Sequence, residues 1–272
     1  MVHRAKKSLG QHFLRSKSAI YAIVSAGNVV AGDTVLEIGP GEGVLTDALL
    51  ATNAHVVAVE KDRDLIPILE ERFAEQIKSK QLTLIEADIL DFDPEKHGLK
   101  KGEYKLVANI PYYITGAIFE KFLSEKCSPS CMVVLIQKEV ATRIVARDNK
   151  ESILSISVKA FGTPKLTAKV PASAFRPAPK VDSAVLAVYD ISQHAFTHWD
   201  VPETEAIHLF FKVVRAGFAH KRKLLARNLE AVAEKAQIQK SFLALDLSPN
   251  TRAEDLQLST WVVLAKTFLT ER

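Results

Sequence analysis

Asn109-Ile110-Pro111-Tyr112 places an amide oxygen, a constrained carbonyl and an aromatic face within a short stretch. That combination suits a planar exocyclic amine: two oxygens accept its N–H groups while the ring stacks on the heterocycle. Pro111 fixes its own φ and lacks an N–H, so it ends a strand and stiffens the loop after it. Ile110, before the proline, is pushed to an extended conformation, which restricts the direction of its carbonyl. Residues 104–108 are mostly apolar and β-forming and read as a buried strand that delivers Asn109 to a sheet edge. Alone, the stretch reads more simply as a strand ended by a proline turn. Its companions in the sequence decide otherwise.

One companion is a glycine-rich turn. Thr34–Ile38 is a short strand candidate that runs into Gly39-Pro40-Gly41-Glu42-Gly43, and Val44–Leu50 then reads as a helix. Strand, glycine turn and helix together cradle a nucleotide, because glycines let the backbone approach the ligand. The spacing is G-x-G-x-G rather than the G-x-G-x-x-G of dinucleotide binders. Glu42 beside the turn would repel a pyrophosphate. A cofactor without phosphates, such as S-adenosylmethionine, suits Gly39 and Gly41 better than NAD. The next strand, 55–59, ends at Glu60, about twenty residues past Gly41, where a carboxylate grips ribose hydroxyls. Leu82–Glu86 is a third strand. Asp88 just beyond it is placed to accept from the adenine amine of such a cofactor, or else caps a loop turn.

These groups need a sheet to hold them. Residues 62–78 form an amphipathic helix with Leu65, Ile66, Leu69 and Phe73 on one side. Residues 115–123 form another, with Thr115 as N-cap. Residues 131–136 are strand five, a helix begins at 137, and 152–161 leans to helix. Residues 165–170 and Ser183–Tyr189 are late strands. The loop between them, rich in proline, presents Phe175 with Arg176 and Lys180; Phe175 is either a second stacking ring for the base or part of a structural crossing. After about residue 195 the periods are helical only: 202–214, 220–236, 238–243 and 260–269. The expected architecture is α/β, a doubly wound sheet domain over 1–195 plus a small all-α domain over 196–272.

Charge is concentrated in two places. His3, Arg4, Lys6, Lys7, Arg15 and Lys17 make the N-terminus basic, around the patch Gly10-Gln11-His12-Phe13-Leu14. The segment is either a tail leading to a helix over 19–26 capped by Ser18, or a basic arm meeting phosphate while the patch folds over a ligand. Lys221, Arg222, Lys223 and Arg227 form the densest cationic cluster, with Lys223 and Arg227 on one helix face. That cluster is either a solvated surface or a grip on RNA backbone.

Composition narrows the class. The net charge of +4 is mildly basic and does not by itself require a nucleic-acid partner. Cys127 and Cys131 are the two cysteines, too few for a disulfide scaffold, and no metal site is expected. No apolar run is long enough to span a membrane and no signal sequence is visible, so a soluble cytoplasmic protein is expected.

Gly10-Gln11-His12-Phe13-Leu14, Leu36-Glu37-Ile38-Gly39-Pro40-Gly41-Glu42-Gly43, Glu60, Asp88, Asn109-Ile110-Pro111-Tyr112-Tyr113 and Phe175-Arg176-Pro177-Ala178-Pro179-Lys180-Val181-Asp182-Ser183 occur in order. Together they resemble the ribosomal RNA small-subunit adenine N6,N6-dimethyltransferase family, over nearly the whole chain down to Arg252-Ala253-Glu254-Asp255-Leu256. His12 stands where many bacterial members carry Asn, and Asp148-Asn149-Lys150-Glu151 replaces a loop that often contains Tyr-Gly. The resemblance implies a Rossmann-like S-adenosylmethionine-dependent sheet domain with a helical RNA-binding domain behind it. It implies N6-dimethylation of two adjacent adenines in the 3′-terminal hairpin loop of small-subunit rRNA, during ribosome biogenesis. His12 and Leu14 would close over the cofactor, Gly39 line its methionine end, Glu60 hold the ribose and Asp88 the adenine. Asn109, Ile110, Pro111, Tyr112 and Phe175 would form the catalytic set. The partner would be the small ribosomal subunit precursor, met by a monomer. A large-subunit RNA dimethyltransferase of the macrolide-resistance type, a non-catalytic assembly or transcription factor on the same fold, and a small-molecule methyltransferase are the rival readings.

Overall fold

The computed structural model describes residues 5–6, 9–124, 126–146 and 148–269, so His3, Arg4 and Lys7 of the basic arm lie outside the described residues. The chain divides into two compact units, one of residues 1–141 and 163–191, the other of 142–162 and 192–272. This division differs from the expected single boundary at 195: the segment 142–162 groups with residues 192–272 instead of with the sheet.

In chain order the elements are β1 (Phe13–Leu14), α1 (Lys17–Ala26), β2 (Thr34–Ile38), α2 (Val44–Leu50), β3 (His55–Glu60), α3 (Ile66–Arg72), α4 (Ala74–Lys78) and β4 (Leu82–Glu86). There follow β5 (Tyr104–Asn109), α5 (Thr115–Ser124), β6 (Cys131–Gln137), α6 (Lys138–Val145), α7 (Ile153–Lys159), β7 (Thr163–Val170), β8 (Phe175–Arg176) and β9 (Ser183–Tyr189). The last helices are α8 (Glu203–Gly217), α9 (Leu225–Leu229), α10 (Lys235–Ala244) and α11 (Leu258–Thr267).

In the first unit, seven strands form one sheet in the order β4-β3-β2-β5-β6-β9-β7. The five from β4 to β6 are parallel; β9 adds antiparallel to β6, and β7 adds antiparallel to β9 at the edge. Strands buried on both faces need unbroken apolar runs, and β6, Cys131-Met132-Val133-Val134-Leu135-Ile136-Gln137, is buried over all but its last residue. The strand order reverses between β2 and β5, and in a doubly wound sheet the crevice beyond the strand ends at that reversal is where ligands sit. Both β2 and β5 deliver their expected motifs there: β2 ends at Ile38 before the glycine turn and β5 ends at Asn109.

Several local expectations are corrected. The helix foreseen over 62–78 is two helices, α3 and α4, broken at Phe73, whose φ of −111° and ψ of 25° leave the α region while its ring stays buried. The cap of α1 is Ser16, which accepts from the Ala19 amide, not Ser18. Thr115 is already helical; a 3₁₀ turn over Tyr112–Ile114 precedes it, and its hydroxyl donates to the Tyr112 carbonyl.

The second unit is helical. Phe196, Phe210, Val213, Leu225, Leu229, Trp261 and Leu264 are all within 1% of complete burial. Gly217 is obligatory there, since an added Cβ would lie 2.4 Å from the Trp261 ring. The period foreseen over 220–236 is a turn followed by short α9, because Asn228 Nδ2 donates to the carbonyls of Gly217 and His220 and closes the chain on itself. Arg252-Ala253-Glu254-Asp255-Leu256 is a structural clasp: the Glu151 amide donates to the Glu254 carbonyl and Lys150 pairs with Asp255.

Candidate functional site

Beyond the ends of β2, β3, β4 and β5 a cleft opens in the first unit. Its walls come from the N-terminal patch, the glycine turn, the ends of β3 and β4, and residues 109–114. His12, Leu14, Gly39, Gly41, Glu60, Asp88, Asn109, Ile110, Pro111 and Tyr112 all line it. The sequence scattered these groups over roughly a hundred positions, and the parallel crossovers gather them.

The glycine turn is built as its composition requires. Gly39, Gly41 and Gly43 have φ of 67°, 60° and 81°, the left-handed region open to glycine. A Cβ on Gly39 would meet no atom within 4 Å, so its α-carbon faces open space in the cleft wall. A Cβ on Gly43 would meet the Phe73 ring at 2.5 Å. Glu42 forms an ion pair with Arg15, so its charge is partly met and it would repel a phosphate less than its position alone implies.

Glu60 stands at the end of β3 and is 6% exposed. One carboxylate oxygen accepts from the Gly41 amide at 3.1 Å, the other from the Asp62 amide at 2.8 Å. Burial raises its pKa above the ordinary value, and these backbone donors oppose that rise. The carboxylate ties the turn to β3 and keeps lone pairs for a ligand. Asp88 accepts from Lys61 Nζ at 2.6 Å and from the Leu90 amide, and Lys61 holds its pKa below the ordinary value. Lys61 also lines the cleft and was not foreseen; its place next to Glu60 in sequence was the available signal.

Asn109 is half-buried at the tip of β5, and its Nδ2 donates to the His12 carbonyl at 3.1 Å. A carbonyl only accepts, so this bond fixes which end of the amide is nitrogen. Oδ1 is left as an acceptor. Tyr112 is half-buried, and its hydroxyl and that of Ser183 share a 2.7 Å hydrogen bond. The His12 ring lies nearly parallel to the Tyr112 ring, with centroids 6.0 Å apart, and His12 Nδ1 donates to the Pro177 carbonyl at 2.7 Å. Gln11 and Lys6 both donate to Asp62, holding the N-terminal patch against β3. Tyr113, 64% exposed, adds a second ring to the cleft wall, one not expected from the sequence.

Phe175 is not in the cleft wall. It is 5% exposed, lies in β8 opposite Leu14 of β1, and packs into the core. The expectation of a second stacking face from Phe175 is therefore corrected: pairing with β1 turns its ring inward. Lys221, Arg222 and Lys223 are exposed in the turn between α8 and α9, so Lys223 and Arg227 do not share a helix. Arg227 is exposed and pairs with Glu230.

Glu37, in β2 just ahead of the glycine turn, is 1% exposed and neither carboxylate oxygen has a hydrogen-bond partner. Burial pushes its pKa from 4.5 to about 8; the Thr46 hydroxyl opposes this but lies outside hydrogen-bond geometry. Between those two values the folded protein keeps a proton that the unfolded chain has released, so stability falls as pH rises through that window. Glu37→Gln should therefore melt above the parent at pH 8, with the gap closing towards pH 4.5. A gap independent of pH in thermal melts would mean that Glu37 is ionised in the fold.

Residues 2–269 match the family model described as ribosomal RNA adenine dimethylase. The protein from Dehalococcoides mccartyi strain BAV1 named ribosomal RNA small subunit methyltransferase A is 41% identical, covering 95% of this chain and 86% of its own length. The protein of that name from Thermosynechococcus vestitus is 37% identical, over 97% and 96% of the two chains. Among solved structures, a dimethyladenosine transferase from Plasmodium falciparum superposes with a TM-score of 0.78 at 25% identity, over 93% of this chain and 96% of that one. The 23S rRNA methyltransferase ErmE, at 23% identity, shares the fold with a TM-score of 0.73 over 94% and 99%.

Proposed function

The chain belongs to the ribosomal RNA adenine dimethylase family, and on that premise we propose that its cleft dimethylates the N6 amines of two adjacent adenines in the 3′-terminal hairpin loop of small-subunit rRNA. It is an S-adenosylmethionine-dependent rRNA adenine dimethyltransferase with a Rossmann-like sheet. The residues present fit that cofactor. Open space lies over Gly39, carboxylates stand at Glu60 and Asp88, and Ile38, Val59 and Ile89 supply an apolar wall for a flat base. Glu60 would hold the ribose, Asp88 the adenine amine, and His12, Leu14, Gly39 and Gly41 the methionine end. Bound there, S-adenosylmethionine supplies an electrophilic methyl group.

The observation that carries this reading is the orientation of Asn109. Its Nδ2 is spent on the His12 carbonyl, and its Oδ1 is free to accept, in the same cleft as the glycine turn. An adenine amine is a poor nucleophile because its lone pair is delocalised into the ring. Asn109 Oδ1 and the Ile110 carbonyl would accept its two N–H groups and favour a pyramidal nitrogen. This is orientation with preorganised dipoles and needs no general base. Pro111 keeps the Ile110 carbonyl from turning away, and the Tyr112 ring takes the extruded base, recovering roughly 1–3 kcal/mol of the unstacking cost.

Labelled methyl transfer onto undermethylated small subunits, with large subunits and naked rRNA as the other arms, tests the assignment. Incorporation confined to two adjacent adenines of the small subunit is the expected result. Transfer to the large subunit instead would overturn it. The exposed Lys221, Arg222 and Lys223 and Arg227 would hold RNA phosphates. Neutralising the first three should weaken RNA binding on the order of 10²–10³-fold near 0.1 M salt and reduce the slope of log K against log salt by about 2–3. An unchanged slope would make that turn an inert surface. A monomer acting on the small-subunit precursor completes the reading. No helix among the described residues is long and apolar enough to cross a membrane.

A further inference from the structure

We propose that Ser183 is a positioning residue for methyl transfer: its buried hydroxyl holds the far end of the Tyr112 ring and so fixes the position of the ring on which the target base stacks. The inference rests on the reading of Tyr112 as that platform.

Tyr112 follows Pro111 in a 3₁₀ turn, where its backbone carbonyl accepts from the Thr115 hydroxyl at 2.9 Å. That fixes the main chain but leaves the ring free to swing about the Cα–Cβ bond. The far end of the ring is held by the hydroxyl of Ser183, at 2.7 Å. Ser183 is fully buried and is the first residue of β9, in register with Gln137 of β6 on one side and Val170 of β7 on the other. The preceding residue is equally fixed: the Asp182 side chain accepts from the Ala172 amide and its carbonyl accepts from the Lys138 amide. The anchor is therefore part of the sheet, while the ring it holds borders the cleft. Asn109 Nδ2 is tied to the His12 carbonyl, so a base stacked on a displaced ring would miss the oxygens meant to accept from its amine. A small displacement of the Tyr112 ring would leave binding nearly intact and slow the chemistry.

Single-turnover methyl transfer on undermethylated small subunits tests this with Ser183→Ala, Tyr112→Phe, the double variant and Tyr112→Ala. Loss of one hydrogen bond should slow Ser183→Ala and Tyr112→Phe each by roughly two- to tenfold. The double variant should be no slower than either single one, because both remove the same bond. The KM for S-adenosylmethionine and the affinity for the subunit should stay at wild-type values, which a general loosening of the fold would not allow. If Ser183→Ala does not fold, Tyr112→Phe removes the same bond from the other end and carries the test. Wild-type rates in Tyr112→Phe, multiplying losses in the double variant, or a loss confined to cofactor KM would each overturn the inference. If Tyr112→Ala is slow while Tyr112→Phe is not, only the anchor fails. If Tyr112→Ala also transfers at the wild-type rate, the reading of Tyr112 as the stacking platform fails with it.

Discussion

Asn109→Ala should lower the rate of methyl transfer by about 10²–10³ while leaving RNA affinity near that of the parent, the scale for removing one preorganised polar group at a reacting centre. The amide does two jobs at once. Its nitrogen donates to the His12 carbonyl, which locks the side chain, and its oxygen would accept from the adenine amine. Asn109→Asp separates them. A carboxylate still accepts, but it cannot donate to His12, and the repulsion between the two oxygens would swing it out of place. Asn109→Asp should therefore also be slow, despite keeping an acceptor of higher charge. Filter binding and single-turnover transfer on the same small subunits provide the check. An equal loss of binding and of transfer would reduce Asn109 to a structural residue at the tip of β5.

Glu60→Ala should weaken S-adenosylmethionine binding about a hundredfold, since hydrogen bonds to a charged acceptor contribute about 1.5–3 kcal/mol each. The effect should reside in the cofactor dissociation constant, measured by calorimetry, with RNA affinity unaltered. The Glu60 carboxylate also holds the Gly41 and Asp62 amides, so part of the loss would be disorder in the glycine turn. A pH series separates the charge from the scaffold. Burial raises the Glu60 pKa, so cofactor affinity in the parent should fall as pH is lowered through that raised value, and Glu60→Ala should lack that dependence. Asp88 titrates in a lower window, because Lys61 holds its pKa down. Unchanged cofactor affinity in Glu60→Ala would sink the assignment of the ribose site.

Much of the fold was open to reading because its strands are parallel. A strand covered on both faces must be apolar along its length, so Thr34–Ile38 and Cys131–Gln137 announce themselves. Glycines needed at positive φ and a proline that ends a strand are local requirements, and they marked the glycine turn and the tip of β5. Helix limits were less legible. Residues 62–78 have one apolar face throughout, yet the chain breaks at Phe73, where the ring fills space beside Gly43 that only tertiary packing creates. Likewise 220–236 has a helical period, but the Asn228 side chain competes for the carbonyls at the end of α8 and makes a turn.

The amino-acid order by itself determined which groups could meet an adenine amine and a nucleoside cofactor, because amide, carboxylate and glycine chemistry belongs to the residues. It also determined the sheet class, through the run of apolar strands separated by helices. Only the tertiary structure decided which faces those residues present. It turned Phe175 inward through its pairing with β1, left Tyr113 in the cleft wall and gave Tyr112 a buried hydroxyl for an anchor. The physical reason is that side-chain direction is set by partners distant in sequence. The bonds from Asn109 to His12 and from Tyr112 to Ser183 join residues 97 and 71 positions apart, which no local pattern encodes.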